Sequence, residues 1–159
     1  MIDLVEISVS LAEVARLARV DLQSHNIKNE FLPAPHRRPS SFPPGTQAVY
    51  AFLLAESCLK VGNAGPKTQA RFTSQHYGLD APSTLAKSIL RDPLKVANLF
   101  SSEQRSEVQL LDGSSIGSWI EKNTSRVHIC IPAEAGHFTL GLVEAFIQCR
   151  FQPVFEGKV

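Results

Sequence analysis

The sequence predicts an α+β fold, a small and mostly antiparallel β-sheet flanked by helices, with an extra helix at the amino terminus. Two short apolar runs joined by a turn indicate a β-hairpin, and a later apolar run indicates a separate strand. Several other segments show helical periodicity. With 159 residues and 43% hydrophobic content, the chain fits one domain with a normal core and is not broadly disordered.

The first predicted element is a helix from Ser10 to Ser24. Ser10 and Glu13 make a capping-box pattern, and one face is apolar, with Leu11, Val14, Leu17 and Ala18. Residues 32–45 contain five prolines and are typical of an extended connector. We therefore expect residues 1–45 to form an N-terminal helix and Pro-rich connector, and residues 46–159 to form the main domain.

The same helix permits a second interpretation. Ser10–Asp21 looks like the opening helix and turn of bacterial helix-turn-helix repressors, which would make the protein a small regulatory DNA binder. A recognition helix should follow directly, yet residues 22–31 are polar and Pro33 comes next, while Arg19 replaces the usual turn glycine. A plain amphipathic packing helix is favoured.

The next element is the hairpin, with arms at residues 47–54 and 58–62. Turn residues follow it, and residues 67–77 are expected to be helical. Tyr50 and Lys60 lie on opposite arms and could face one site if the register agrees. Between Ser57 and Leu79 the chain contains Lys60, Lys67 and Arg71 but no acidic residue, although the net charge is only +1. A phosphate would suit this locally positive segment, particularly at a helix start.

The remaining elements are helices at residues 83–91, 114–122 and 138–149 and a strand at residues 126–131. Glu144 lies among apolar residues of the last helix. Its carboxylate is either exposed at the edge of an apolar face or buried because it has a function. We favour the buried, functional carboxylate. For Tyr50 the pattern alone favours a core-edge aromatic residue, and the alternative interpretation of Arg71 is a solvated helix charge.

Taken in order, these residues resemble the GIY-YIG nuclease superfamily. Val49-Tyr50 matches the end of its first triplet, Lys60-Val61-Gly62 the second triplet, and Arg71 the arginine of the following helix. Residues 143–147 and 150–155 look like its metal-binding glutamate helix and closing strand. The resemblance runs from Thr46 to Lys158. The departures are Ala48 for the first glycine, Lys60 for the second tyrosine, a longer loop before Arg71, and Glu156 where asparagine is common.

The resemblance implies metal-dependent cleavage of phosphodiester bonds in DNA. Tyr50 would assist the attacking water, Arg71 would hold the phosphate with its planar fork, and Glu144 would hold Mg²⁺ or Mn²⁺. His76 or Tyr77 would take the place of the histidine or tyrosine that follows the family arginine. Lys60 could replace the missing hydroxyl as a phosphate contact.

Two expectations remain open within this resemblance. Lys60 and Arg71 could lower the pKa of Tyr50, whose ordinary value of about 10 makes it a poor base. The departures also allow an inactive relative that binds nucleic acid or a protein.

The cysteines and the first residues of the sequence indicate the cellular compartment. Three separated cysteines indicate reduced thiols, and Asp3 and Glu6 argue against a signal peptide, so we expect a cytoplasmic protein with no membrane partner. No apolar run is long enough to span a bilayer. The possible ligands of a zinc site are His128, Cys130, His137 and Cys149. They include no closely spaced pair of the kind usual in zinc sites, so a zinc site is disfavoured.

Overall fold

The structure is a computed structural model that describes residues 2–156, without the side chains of residues 102 and 103. The last residues of the predicted main domain, 157–159, and of the family resemblance, 157 and 158, lie outside this range. The strands are β1 (Lys28–Leu32), β2 (Thr46–Leu54), β3 (Ser57–Ala64) and β4 (Ser125–Pro132). The helices are α1 (Leu4–Leu17), α2 (Gln69–Thr73), α3 (Leu85–Arg91), α4 (Pro93–Ala97), α5 (Ser102–Gln109), α6 (Ile116–Asn123) and α7 (Gly136–Phe151).

The four strands form one antiparallel sheet in the order β1-β4-β2-β3. The predicted α+β class is confirmed. Every residue of β2 is buried, because helices cover both faces of this inner strand. One face packs against α2 to α6 and contains Tyr50 and Phe52, whereas the other packs against α1 and α7 and contains Val49 and Ala51. The alternating side chains of β2 therefore divide between two apolar clusters.

A β-bulge in the hairpin decides which residues share a face. Tyr50 pairs with Gly62 and Phe52 with Lys60, but Leu53 pairs with Cys58, so Leu59 is an extra residue in β3. Paired residues of antiparallel strands lie on the same face. Tyr50 and Lys60 therefore lie on one face as diagonal neighbours, which answers the question of register.

The N-terminal helix differs from its predicted bounds. It begins at Leu4, because the Asp3 carboxylate accepts hydrogen bonds from the backbone N–H groups of Val5 and Glu6 at 3.0 and 2.9 Å. Ser10 lies inside the helix and donates to Glu6 instead of capping. The helix ends at Leu17, and a single 3₁₀ turn and β1 follow it in the described chain. The expected helix over residues 10–24 was wrong at both ends, and no recognition helix follows α1.

Strand β1 was not predicted. It pairs with β4 and makes the far edge of the sheet, so the N-terminal part of the chain contributes a strand to the same sheet as the main domain. The division at residue 45 stays a prediction. Helices α4 and α5 were also missed.

Most later elements agree with prediction to within two residues, as for α3, α6, β4 and α7. The helix expected over residues 67–77 is split into α2 and a 3₁₀ turn at Gln75–Tyr77. The expected closing strand is absent from the described residues. Instead, α7 continues to Phe151, and the N–H groups of Val154 and Phe155 donate to the carbonyls of Cys58 and Leu59 at 2.9 and 3.0 Å.

None of the helices within residues 2–156 is long and apolar enough to cross a membrane. All three cysteines are free thiols, with Cys58 and Cys130 buried and Cys149 exposed.

Gly62 supplies a direct test of the hairpin packing. A Cβ atom at this position would lie 2.7 Å from the Tyr50 hydroxyl oxygen, so Gly62→Ala should displace the Tyr50 ring. We expect the free energy of unfolding to fall by about 1–3 kcal/mol, as for other overpacked cores. Chemical denaturation measures this change.

Gly141→Ala is the matched control, because a Cβ there meets nothing within 4 Å. It lies in α7 and should stabilise the protein by about 0.5–1 kcal/mol. Equal effects of the two substitutions would contradict the packing of Tyr50 on Gly62.

Candidate active site

The Tyr50 hydroxyl is hydrogen-bonded to an imidazole in the interior. Its oxygen lies 2.6 Å from Nε2 of His76, and Tyr50 is only 1% exposed. The other ring nitrogen of His76, Nδ1, accepts the backbone N–H of Leu85 at 3.1 Å. A backbone amide can only donate, so Nδ1 carries no proton and Nε2 does. His76 therefore donates to the Tyr50 oxygen and is not its proton acceptor.

The charge state of His76 agrees with that role. Burial and, to a lesser extent, the positive charges of Lys60, Arg126 and Arg71 together lower the pKa of His76 to about 3. The ring is neutral at physiological pH. Of the two residues proposed to follow Arg71 in the site, His76 contacts Tyr50. Tyr77 instead bonds to His36 at 2.7 Å and to Arg126 at 2.8 Å.

Burial raises the pKa of Tyr50 far above its ordinary value, and the nearby charges change it less. Arg71 and Arg126 lower this pKa, whereas Glu144 and Glu156 raise it. The expectation that nearby cations bring Tyr50 into a useful range was wrong for the free protein, because desolvation of the phenolate is the larger effect. The same charges show that Arg71 and Glu144 lie within electrostatic reach of Tyr50.

A buried guanidinium lies beneath the tyrosine. Arg126 is 0% exposed, and its Cζ atom is 5.4 Å from the ring centroid of Tyr50 and 4.6 Å from that of Phe52. It donates to the hydroxyl of Tyr77 and, at 2.9 Å, to the carbonyl of Phe72. None of the carboxylates whose side chains the structure describes forms a salt bridge with it. Aromatic faces thus solvate this cation, and its charge favours the phenolate of Tyr50.

Glu144 reaches the site from α7, beside the edge strand β3. It is partly buried, and its carboxylate accepts a hydrogen bond from the side-chain amide of Asn63 in β3. A second carboxylate, Glu156, lies 3.5 Å from Nζ of Lys60 and accepts from Gln148 at 2.7 Å. Burial raises the pKa of Glu156, and Lys60 opposes that shift. Lys60 is itself only 6% exposed.

Arg71 is the exposed member of the group. It lies on α2 and forms no salt bridge with any described residue. Its charge acts on both Tyr50 and His76. Its guanidinium can therefore meet an anion that arrives from solvent.

Of the five predicted residues, Tyr50 and His76 are in direct contact, and Lys60 lies on the same face as Tyr50 across the hairpin. In the described chain, Arg71 and Glu144 form no hydrogen bond with either, and only their charges act on Tyr50. Glu144 is held at the edge strand by Asn63, which pairs with Val49 of the opposite face. Sequence reasoning missed Asn63, Arg126 and Gln148. Arg126 carried a signal, because it alternates with apolar residues in β4 and pairs with Phe52. Asn63 and Gln148 carried none.

The side chains present in this region limit which metal ion it can hold. The described part of the chain contains no cluster of three or more His, Cys, Asp or Glu side chains that could hold a metal ion. Mg²⁺ commonly needs only one or two carboxylates, with water and substrate phosphate completing its shell. Glu144 beside the amide of Asn63 fits such a one-carboxylate site.

Comparisons with family models, with curated proteins and with solved structures find no match to this chain. The resemblance to GIY-YIG nucleases therefore depends on the residues of the chain itself.

The buried neutral histidines make stability sensitive to acid. Burial is the main reason why the pKa of His76 and that of His128 are lowered to about 3, whereas an unfolded histidine has its ordinary pKa of 6.5. The unfolded state therefore binds more protons below pH 6.5, and stability falls as the pH decreases. Each histidine contributes a slope of up to about 1.4 kcal/mol per pH unit. Urea unfolding between about pH 6.5 and 5 measures it.

His76→Gln and His128→Gln should each remove about one histidine's share of this slope. The exposed His137 is the control, and His137→Gln should leave the slope unchanged. A wild-type stability that does not change across this pH range would contradict the assigned neutral state.

Proposed function

We propose that the protein is a metal-dependent endonuclease that hydrolyses phosphodiester bonds in DNA. The observation that carries this proposal is the buried Tyr50–His76 pair, within electrostatic reach of both Arg71 and Glu144. A phenol, a phosphate-binding guanidinium and a partly buried carboxylate in one region are the groups that phosphodiester hydrolysis needs. We also propose that the protein acts in the cytoplasm, where its three free thiols would stay reduced.

Arg71 and Lys60 stabilise the phosphate. Arg71 is exposed and unpaired within residues 2–156, so its guanidinium can donate two parallel hydrogen bonds to phosphate oxygens. Lys60 is buried, and its ammonium lies at 3.5 Å from Glu156, longer than a strong ionic hydrogen bond. It adds positive charge in a low-dielectric region, where the charge of the transition state is most effectively stabilised.

Tyr50 assists the water through its oxygen. One lone pair accepts the N–H of His76, which stabilises the phenolate. The remaining lone pairs can accept a proton from water once the packing around Tyr50, which is only 1% exposed, opens to admit it. Arg126 stabilises the same anion from below. The active form is the phenolate, which is scarce at neutral pH because burial raises the pKa of Tyr50.

Glu144, with the side-chain amide of Asn63, would hold the divalent cation. When bound, such an ion supplies charge stabilisation to the phosphate and lowers the pKa of coordinated water.

A second function is supported by the pairing of Lys60 with Glu156. This contact neutralises one cation of the site, as expected for a relative that binds nucleic acid or a protein without cutting it. The high pKa of Tyr50 supports the same alternative.

Cleavage of supercoiled plasmid in Mg²⁺ or Mn²⁺ tests the proposal. We expect nicking by the wild type and a loss of about 10²-fold or more in Tyr50→Phe and in Glu144→Gln. Tyr50→Phe keeps the ring packing and Glu144→Gln keeps the side-chain volume, so thermal unfolding should show both variants folded.

Glu134→Gln is the control for Glu144→Gln, because Glu134 is an exposed carboxylate before α7. It should cut as well as the wild type. Absence of nicking by the wild type in every metal and salt condition would favour the binding module, and full activity of Glu144→Gln would contradict the metal assignment.

The pH dependence of cleavage tests the role of Tyr50 separately. Below its raised pKa, each pH unit increases the phenolate fraction about tenfold. We therefore expect the single-turnover rate at saturating DNA to rise steadily between about pH 7 and 9, with a slope near one in a logarithmic plot. A rate independent of pH over that range would contradict phenolate catalysis by Tyr50.

A further inference from the structure

A basic pocket lies next to the proposed active site, on the side of α3. It has a volume of about 440 Å³ and is lined by Lys60, Ser83, Lys87, Ser88, Arg91 and Phe155. The lining contains three cations, two hydroxyls and one aromatic ring. One of these cations, Lys60, is paired with Glu156 at 3.5 Å, whereas the other two lie on α3. Pockets of about 300–1,000 Å³ take small-molecule-sized ligands.

The cations from α3 are placed as a pair without a counter-ion. Lys87 and Arg91 are four residues apart, so they lie on one face of the helix. Both are exposed, and neither forms a salt bridge with a described residue. The nearby Asp92 pairs with Lys95 instead, at 3.8 Å. Like charges at this spacing repel each other, and a bound anion would relieve the repulsion.

Phe155 gives the pocket a fixed apolar wall. Its backbone N–H donates to the carbonyl of Leu59 at 3.0 Å, which fastens the chain after α7 to the edge of β3. Its ring is partly exposed and has Nζ of Lys95 at 5.9 Å from its centroid. An aromatic ring beside a cluster of cations suits a nucleotide, whose base or sugar packs on the ring while its phosphate meets the cations.

Lys60 connects this pocket to the reacting centre. It lines the pocket, and its charge also acts on His76, the hydrogen-bond partner of Tyr50. A strand whose scissile phosphate lies at Lys60 would therefore have a neighbouring phosphate within the same pocket as Lys87 and Arg91.

We propose that this pocket is a second phosphate subsite, which holds the phosphate next to the scissile one in the same DNA strand. Lys87 and Arg91 contact that phosphate, and Phe155 contacts the attached nucleotide. The inference depends on the proposed function, because it takes the strand at Tyr50 to be DNA.

The test is the binding of a fluorescent DNA duplex in EDTA, where no cutting is required. Lys87→Ala/Arg91→Ala should weaken binding by about tenfold or more and reduce the slope of log K against log salt by about one. The matched control is Arg19→Ala/Lys28→Ala, which removes the same charge. Arg19 follows α1 on the other side of the sheet, and Lys28 lies on the far edge strand. This pair should retain wild-type affinity and salt slope.

Neutral methylphosphonate substitutions identify the phosphate. One such substitution, next to the scissile bond, should weaken wild-type binding several-fold and have no effect on Lys87→Ala/Arg91→Ala. The inference is overturned if the wild type does not bind DNA, if the control pair loses as much affinity, or if no flanking phosphate shows this dependence.

The result also separates the two proposals. If this binding pattern is found without nicking in Mg²⁺ or Mn²⁺, the subsite stands and the nuclease assignment fails, whereas nicking without the pattern overturns the subsite alone.

Discussion

The hydrogen bond between Tyr50 and His76 connects the central strand of the sheet to the segment that follows α2. Gly62 on the neighbouring strand leaves room for the phenol, and the N–H of Leu85 at the start of α3 fixes the proton of His76 on Nε2. Because a neutral imidazole with this proton can only donate to Tyr50, the pair stabilises a phenolate. The roles assigned to the surrounding charged residues all require that His76 donates this hydrogen bond and Tyr50 accepts it.

The charged side chains around this pair differ in their solvent exposure. Arg126 is fully buried and has aromatic faces, one hydroxyl and one carbonyl as partners, so its position is fixed. Arg71 is exposed and available to an incoming anion. Lys60 lies between these extremes, paired with Glu156 and in contact with the pocket of α3. The buried cation Arg126 therefore lies under the tyrosine, whereas the exposed cation Arg71 is the one that an incoming anion can reach.

Sequence patterns predicted the elements whose two faces differ or whose ends carry clear signals, as in the hairpin, β4 and α7. Strand β1 was missed because its side chains are mostly exposed at the edge of the sheet, which leaves little apolar pattern. The start of α1 was misplaced because Ser10 and Glu13 imitate a cap, whereas Asp3 makes the actual one. The site residues came from a family resemblance. The contact of Asn63 with Glu144 and the burial of Arg126 depend on sheet register and helix placement, which no local pattern encodes.

The central claim is that Glu144 and Tyr50 belong to one cation-dependent site. Paramagnetic broadening by Mn²⁺ of the NMR signals of the labelled protein, in the presence of a short DNA duplex, tests it most directly. We expect the signals of Asn63 and Glu144 to broaden first, those around Tyr50 to follow, and Glu144→Gln to abolish the effect. Broadening centred elsewhere, or unchanged in Glu144→Gln, would contradict it.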